Sequence, residues 1–543
     1  MTATTVIVGG VAGGMSTAAR LRRRDEAMEI IVVEASGHVS FANCGLPYHV
    51  GGVIPERSSL LLQTPDALHE RFNLDVRVNH RVTAIDREHQ AVTIRNEIDG
   101  TESTQTYDHL VLSPGATPVL PPMPGIDRAL TLRTVEDVDT IIAALDDNVR
   151  SVALIGGGFI GLELAENLRH RDLAVTVLEK GDQIMAPLDP EMATLVTDHL
   201  REHGLTVETG ADATEITADG VRLADGRVIG ADLVVAAIGV SPASALARDA
   251  GLAIGERGGI RVDDQLRTSD PAIFALGDAA EKRDAVSGED TLVPLAQTAN
   301  RHGRLVADII TGREVSRTAT LGTAIVGLFG LAAGSVGWNE KRARAAGRDV
   351  RVIHVHPVDH AGYYPGAEML HLKLVVDPTT DAILGAQAVG GGGVDKRIDV
   401  IATAMRGGLT ATDLADLELA YAPQFGSAKD PVNMLGFVND NIVNGERTVQ
   451  WHELGEAQAD GWTLVDVRTP GEYAAGTIPG ALNLPVDELR ERSGELAGQQ
   501  VVVFCRVGQR GHVAASLLGQ LGITVANLDG GYLTWASMNA GIR

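Results

Sequence analysis

The chain is 543 residues long, more than one hydrophobic core accommodates, so its length predicts three or four domains. Hydrophobic residues make up 44% and charged residues 22%, the balance of an ordinary folded, water-soluble protein. The formal net charge of -25 argues against nucleic acid or an anionic membrane as partner, since both require a positive footprint; a small anion held by local arginines stays open.

No apolar run approaches the roughly 18 residues needed to span a bilayer. Met1 to Thr5 lead into Val6-Ile7-Val8 without the basic, apolar and cleavage-site segments of a secretory signal. With only two cysteines, Cys44 and Cys505, the expected compartment is the reducing cytoplasm.

Val6 to Val8 predicts a short buried strand. Gly9-Gly10-Val11-Ala12-Gly13-Gly14 predicts a tight turn opening a helix, and Ile30 to Val33 a second strand ending in Glu34. This is a dinucleotide-binding layout. Small residues let the backbone approach a pyrophosphate, the helix start faces its charge, and an acid about 20 residues on takes the ribose hydroxyls. Val11 stands where the generic G-x-G-x-x-G pattern has its middle glycine. Arg20, Arg22, Arg23 and Arg24 follow on the helix, either as a solvated face or as a rest for a phosphate-bearing substrate.

A few positions on comes Ser40-Phe41-Ala42-Asn43-Cys44-Gly45-Leu46-Pro47-Tyr48-His49, read as a shaped loop or helix start. Cys44 has no neighbouring cysteine, which excludes a local disulfide framework and a multi-cysteine metal cage. A lone thiol beside a dinucleotide points to redox or nucleophilic chemistry through its thiolate; a buried structural cysteine is the alternative.

From Asp75 to Asn96 the pattern is β-rich, and Tyr107 to Ala116 predicts a strand returning to the first sheet and ending in a Pro114-Gly115 turn. A second unit begins with the strand Ser151 to Ile155 and a full G-x-G-x-x-G, Gly156-Gly157-Gly158-Phe159-Ile160-Gly161. Glu163 and Glu166 on its helix read as an ordinary helix pair. The strand Ala174 to Leu178 ends in Glu179, whose carboxylate accepts from a free 2′-hydroxyl and repels a 2′-phosphate, favouring NADH over NADPH; Lys180 beside it softens that preference. Two such units in one chain imply two nucleotides, with electron transfer from one to the other.

Ala231 to Gly239 closes the second unit. Asp278, just after a predicted buried strand and Gly277, suits the ribityl hydroxyls of a flavin, although taken alone it reads as a helix cap. Residues 325–445 alternate strands and helices, with two tyrosine-bearing segments around Tyr363 and Tyr421. A separate module follows Glu446. Leu464 to Arg468 predicts one strand and Val501 to Phe504 another, ending in the loop Cys505-Arg506-Val507-Gly508-Gln509-Arg510 that enters a helix. Backbone N–H groups at that helix start, with two arginines, are expected to lower the thiol pKa and cradle a small anion.

Over nearly its whole length the chain resembles a known architecture. Residues 1 to about 445 resemble the coenzyme A-disulfide reductase branch of the pyridine nucleotide–disulfide oxidoreductases, and residues from about 450 resemble a rhodanese domain, as in fused reductase–rhodanese proteins and NADH-dependent persulfide reductases. The resemblance rests on Ser40-Phe41-Ala42-Asn43-Cys44, Gly156 to Gly161, Ala275-Leu276-Gly277-Asp278, Ser427 to Met434, Asp466-Val467-Arg468 and Cys505-x-x-Gly508-x-Arg510. Val11 is usual in this branch. Thr477 departs from the histidine that rhodaneses commonly carry before Ile478-Pro479-Gly480-Ala481, a position outside the active loop.

The resemblance implies an α/β fold of four parts: an FAD-binding domain over 1–120 and 250–324, an NAD(P)H-binding domain over 121–249, an α+β dimerisation domain over 325–445, and an α/β rhodanese domain over 446–543. It implies FAD on Gly9, Val11, Ala12, Gly13, Gly14, Glu34, Gly115 and Asp278, and NAD(P)H on Gly156, Gly158, Phe159, Ile160, Gly161 and Glu179. Coenzyme A contacts fall on Arg20, Arg23, Ser40, Asn43 and Lys429. Cys44 and Cys505 are the implied catalytic thiols, with Tyr363 and Tyr421 reaching the site from the partner subunit of a homodimer. No metal is implied.

The implied reaction passes electrons from NAD(P)H through FAD to a mixed disulfide of Cys44 with coenzyme A. The freed Cys44 attacks a persulfide, polysulfide or disulfide by the exchange chemistry expected of a low-pKa thiol, releasing sulfide or a thiol. Cys505 carries sulfane sulfur to or from it. Two other readings are weighed: an NADH oxidase or peroxidase cycling Cys44 through sulfenic acid, and a sulfur carrier or sensor whose flavin only reports redox state.

Overall fold

Val6 and Val8 project from one face of the first strand and Ile7 from the other, and all three are buried. A strand covered on both faces is what a parallel sheet between two layers requires. Thr4–Val8 accordingly lies at the centre of a five-stranded parallel sheet, in the order Ile273–Ala275, His109–Leu112, Thr4–Val8, Glu29–Val33, Asp75–Arg77. One face packs on the helices Ala12–Arg24 and Ala296–Ile310; Val82, Val92 and Ile94, from the antiparallel strands His80–Asp86 and Ala91–Asn96, cover the other. The two helices approach closely because Gly303 carries no side chain: a Cβ there would strike the Gly13 carbonyl.

The computed structural model describes residues 3–539. Met1 and Thr2 of the expected leaderless start, and residues 540–543 of the expected last domain, lie outside the described residues. The chain forms two units, one from the segments up to Ile184 and Gly204–Gly322, the other from Met185–His203 and the segment from Thr323 onward.

In the first unit the second nucleotide fold is a four-stranded parallel sheet, Thr206–Glu208, Ala174–Leu178, Ser151–Ile155, Leu233–Ala236. In both sheets the strand that feeds the glycine turn has its two neighbours on opposite sides, and the following connections run to opposite sides of it. Such a switch point leaves a crevice at the strand's carboxyl end.

The second unit holds a five-stranded antiparallel sheet, Ala324–Leu328, Leu331–Gly337, Ile383–Gly390, Leu370–Val376, Arg351–Val355, backed by the helix Val394–Gly407. It also holds a five-stranded parallel sheet, Thr448–Val449, Thr524–Leu528, Gln500–Phe504, Thr463–Asp466, Leu482–Asn483. The helix Pro190–Glu202, from inside the 121–249 stretch, packs in this second unit against Ile383–Gly390 and the helix Gly531–Met538. The expected class, mixed α/β with two nucleotide folds, an α+β domain and a final α/β domain, is the one found. Among the described residues no helix is long and apolar enough to cross a membrane.

Candidate functional site

The two glycine turns are built alike. Gly9 and Gly156 adopt φ of 98° and 113°, and a Cβ on either would strike a backbone carbonyl, of Ser113 and Ala237 respectively. Gly14 and Gly161 let helix and strand touch, since a Cβ there would strike the Gly9 and Gly156 carbonyls. The strand-end acids close the turns: Glu34 accepts from Gly10 N–H at 2.7 Å and Ser36 N–H at 2.9 Å, Glu179 from Gly157 N–H at 2.8 Å and Gly181 N–H at 2.7 Å. Each carboxylate keeps lone pairs for a ribose hydroxyl.

The turns differ at their middle positions. Nothing lies within 4 Å of a Cβ built on Gly158, so the backbone there is open to a ligand, and the half-exposed Val11 occupies the matching place in the first turn. Neither helix start, Val11 or Gly158, has a side-chain cap or an acid in its first turn, so their N–H donors are available to a pyrophosphate. Ala12 and Gly13 open the first helix; Phe159 and Ile160 open the second. These residues fit FAD on the first nucleotide fold and NAD(P)H on the second.

Cys44 sits in the 3-10 turn Asn43–Gly45, ahead of the short helix Leu46–Val50, and is exposed. Ser40 holds the loop to the first glycine turn: its N–H donates to the Gly10 carbonyl at 2.9 Å, with φ of 48°, a left-handed conformation rarely adopted outside glycine. Asn43 Nδ2 donates to the Arg133 carbonyl at 2.8 Å. The Arg133 guanidinium donates to Asp278 Oδ2 at 2.8 Å and lies beside Gly115, whose φ is 74°. Arg133 therefore ties together three predicted site residues that are distant in the chain. Sequence reasoning missed it, because nothing in its local pattern distinguishes it from a surface arginine.

The low-pKa expectation for Cys44 is corrected. Packing around the thiol, then the Glu163 carboxylate and more weakly Asp278, push it above the ordinary thiol value, and Arg133 alone opposes them. Glu163 is no ordinary helix-pair residue either: it accepts from the Tyr48 hydroxyl at 3.2 Å, and burial raises its own pKa.

Of the arginine run, Arg20 pairs with the buried Asp308 at 2.7 Å. Arg22 is buried and donates to the carbonyls of Phe72, Asn73 and Glu26. Arg23 and Arg24 are exposed. In the second unit the Tyr363 and Tyr421 hydroxyls, 58 positions apart, meet at 2.8 Å on the surface, and Lys429 is exposed.

Cys505 ends the strand Gln500–Phe504 and is only 1% exposed. Gly508, at φ 92°, caps the helix Gln509–Gln520 without a side-chain bond. The Asp529–Gly531 turn supports the loop from behind: Tyr532 N–H donates to the Cys505 carbonyl at 2.8 Å and Leu533 N–H to that of Arg506 at 3.0 Å. Arg510 does not stand free over the loop. It forms a bidentate pair with Glu472, at 2.8 and 2.6 Å, which holds that carboxylate at a pKa of about 2. Arg506 is exposed. Thr477 donates to Asp466 at 2.7 Å, and Asp466 pairs with Arg468 at 2.6 Å in the buried base of the domain.

Behind the same turn lies a buried charge network. His354 bonds Asp529 at 2.7 Å and Glu191 at 3.1 Å; burial opposes its charge, but those carboxylates outweigh burial and raise it to about 9. Asp189, Glu191 and Glu340, whose carboxylate oxygens cluster as metal ligands would, surround the Lys373 ammonium, at 3.0 Å from Asp189 and 2.7 Å from Glu340.

Comparisons with known proteins agree with this geometry. The family model for pyridine nucleotide-disulphide oxidoreductases matches residues 3–303, the dimerisation-domain model of the same family residues 323–431, and the rhodanese-like domain model residues 450–538. The chain is 35% identical to the coenzyme A disulfide reductase of Staphylococcus aureus, over 80% of this chain and 98% of that one. It is similar to the structure of reduced Bacillus anthracis CoADR-RHD, with a TM-score of 0.98 and 46% identity, covering 100% of this chain and 99% of that one. It is also similar to an NAD-dependent persulfide reductase from A. fulgidus, with a TM-score of 0.92 and 38% identity, covering 98% and 100%.

Proposed function

We propose, from the premise that the chain belongs to the pyridine nucleotide-disulphide oxidoreductase family, that it reduces persulfides, polysulfides or coenzyme A disulfide through Cys44, with Cys505 carrying sulfane sulfur. The observation that carries this reading is the pairing of one exposed, partnerless thiol beside two nucleotide folds with a second thiol in a rhodanese-like loop. A disulfide reductase with a single local cysteine requires its substrate to supply the second sulfur, and coenzyme A suits that role.

When bound, FAD and NAD(P)H supply the electron pair. The remaining work falls to side chains. Cys44 accepts coenzyme A in a mixed disulfide and, once freed, attacks a sulfur of the substrate. Ser40 and Asn43 hold its loop against the glycine turn and Arg133. Arg23 and Lys429 are exposed cations suited to the coenzyme's phosphates; Arg20 reaches them only by sharing its ion pair with Asp308. The hydrogen-bonded Tyr363 and Tyr421 donate to the leaving thiolate from the partner subunit of a homodimer. Arg506, Gly508 and the helix start behind it receive the anionic end of a sulfur donor, with Arg510 held in place by Glu472.

On this reading the domain limits are those given above, Glu179 favours NADH, and the protein works in the cytoplasm, where two free cysteines stay reduced. The test is NADH and NADPH consumption by purified protein with coenzyme A disulfide, a coenzyme A persulfide, or oxygen alone, with sulfide followed in parallel. Sulfide release from the persulfide, absent in Cys44→Ser, is expected. Equal turnover with oxygen alone would move the reading to an NADH oxidase, and sulfur transfer without NADH consumption would move it to a carrier.

A further inference from the structure

The stretch that follows Cys44 is fastened to the second nucleotide fold at three points. The Tyr48 hydroxyl donates to Glu163 Oε1 at 3.2 Å. Arg171 Nη1 donates to the Val50 carbonyl at 2.9 Å. At Gly51 a Cβ would collide with the amide oxygen of Asn167, whose Nδ2 donates back to the Glu163 carbonyl at 2.7 Å. Glu163 is thus held at its side chain and its carbonyl and is half-buried, one turn into Phe159–Arg169 rather than on a solvated face.

Charged groups reach the Cys44 thiol from three elements besides its own. Glu163 comes from the second nucleotide helix, Arg133 from the segment before the helix Val135–Ala144, and Asp278 from the turn Gly277–Ala279. Tyr48 is on the helix beside Cys44, and Glu166 acts on Tyr48 and Glu163. Arg133 and Asp278 are paired at 2.8 Å and largely cancel. Glu163 has no cationic partner among the described residues, so it is the charge the thiolate must meet.

We propose that Glu163, steadied by Tyr48, is the proton store of the Cys44 site. It binds a proton as the thiolate forms and releases it as the thiolate is consumed. The proposal rests on the reading above in taking Cys44 as the cycling thiol. Two electrons from the reductive half-reaction break the Cys44–coenzyme A S–S bond and leave two thiolates. Both thiolates are first protonated by solvent, since a thiolate binds a proton more tightly than a carboxylate does; as Cys44 turns to the substrate its proton passes to Glu163, so that the attacking thiolate faces a neutral carboxylic acid. Cys44 then attacks the substrate S–S bond and forms a new mixed disulfide. The departing thiolate or hydrosulfide takes the proton from Glu163, which returns to a carboxylate. Tyr48, pushed up to about 12 by burial and Glu163, stays protonated and positions the carboxyl without titrating itself.

The test is the pH dependence of iodoacetamide alkylation at Cys44, followed by peptide mass spectrometry on the flavin-loaded full chain after thiol reduction and desalting. In Glu163→Gln the midpoint should fall by about one unit, giving roughly tenfold faster alkylation at pH values below it. Glu163→Asp, which keeps the charge, should stay close to wild type. The acid limb of the NADH-turnover profile should move with the Gln variant. An unchanged midpoint in Glu163→Gln, or equal shifts in Gln and Asp, would overturn the proposal, the second outcome marking a packing role. Should the Gln variant fail to fold, Tyr48→Phe, which frees the carboxyl to turn away, should shift the midpoint in the same direction by less, and no shift there would also overturn it. Alkylation needs no substrate, so this result is separable from failure of the persulfide reading, which Cys44→Ser turnover tests.

Discussion

The two cysteines occupy opposite kinds of site. Cys44 is exposed, on an irregular turn, and faces two carboxylates against one guanidinium. Cys505 is buried at the end of a central strand, under a helix start, with its loop held from behind by two backbone hydrogen bonds. The chain therefore does not build reactivity the same way twice. At Cys44 access comes from the fold, and the protein's own charges oppose the thiolate. At Cys505 the thiol is buried and its loop is held in place by backbone hydrogen bonds. On the proposed reading, the exposed thiol exchanges disulfides with a large coenzyme and the buried one accepts a single sulfur atom.

The largest effects expected are the separations of these roles. Cys44→Ser should lower NADH-linked reduction of coenzyme A disulfide by at least about 10³-fold while leaving sulfur transfer from thiosulfate to cyanide within about twofold. Cys505→Ser should do the reverse, a loss of similar size in sulfur transfer with disulfide reduction retained. Should either variant abolish both activities, the division of labour fails. Tyr421→Phe should lower kcat of disulfide reduction by about 10- to 100-fold without touching sulfur transfer if, as proposed, its hydroxyl serves the leaving thiolate of the Cys44 reaction alone.

The smallest effect is on stability, and it again falls on one side. His354 has a folded pKa of about 9 against an ordinary value near 6.5. Its contribution is complete below about pH 6.5 and is lost as pH rises through about 9. Above that, the Asp529 turn behind the Cys505 loop loses its charged support. The melting temperature of the second unit should drop by a few degrees between pH 7 and pH 9.5, and Cys505 should become open to alkylation before the first unit melts. Replacing His354 by Gln should abolish the pH dependence and leave the Asp529 charge buried without a cation, a cost on the order of 3–5 kcal/mol. An unchanged melting profile between the two pH values would show that the network does not support the loop.

Both nucleotide folds were legible in the amino-acid string because their determinants are local. A short apolar strand, glycines at fixed offsets and an acid at the next strand end all lie within a few dozen residues. The order of these pieces predicts parallel sheets with a switch point, and the structure has them. The cysteines could be singled out for the same reason: there are only two, each beside a recognisable turn.

What surrounds each thiol was decided elsewhere. Arg133 approaches Asn43, Gly115 and Asp278 from positions 90, 18 and 145 residues away. Glu163 meets Tyr48 across 115 residues, Tyr363 meets Tyr421 across 58, and His354 meets Asp529 across 175. A side chain's local pattern carries no record of such partners. Arg510 and Arg20 illustrate the consequence, since both look like free cations in sequence and both pair with carboxylates that only folding brings near, Arg510 while also bonding the Cys505 sulfur. The Cys44 expectation went wrong for this reason. A thiol's pKa is set by desolvation and by charges within a few ångströms, and those distances exist only in the folded chain. Sequence alone determined the fold class and the two nucleotide turns and singled out the two cysteines; tertiary structure alone decided which charges surround them, because electrostatic energy depends on distance through space and not along the chain.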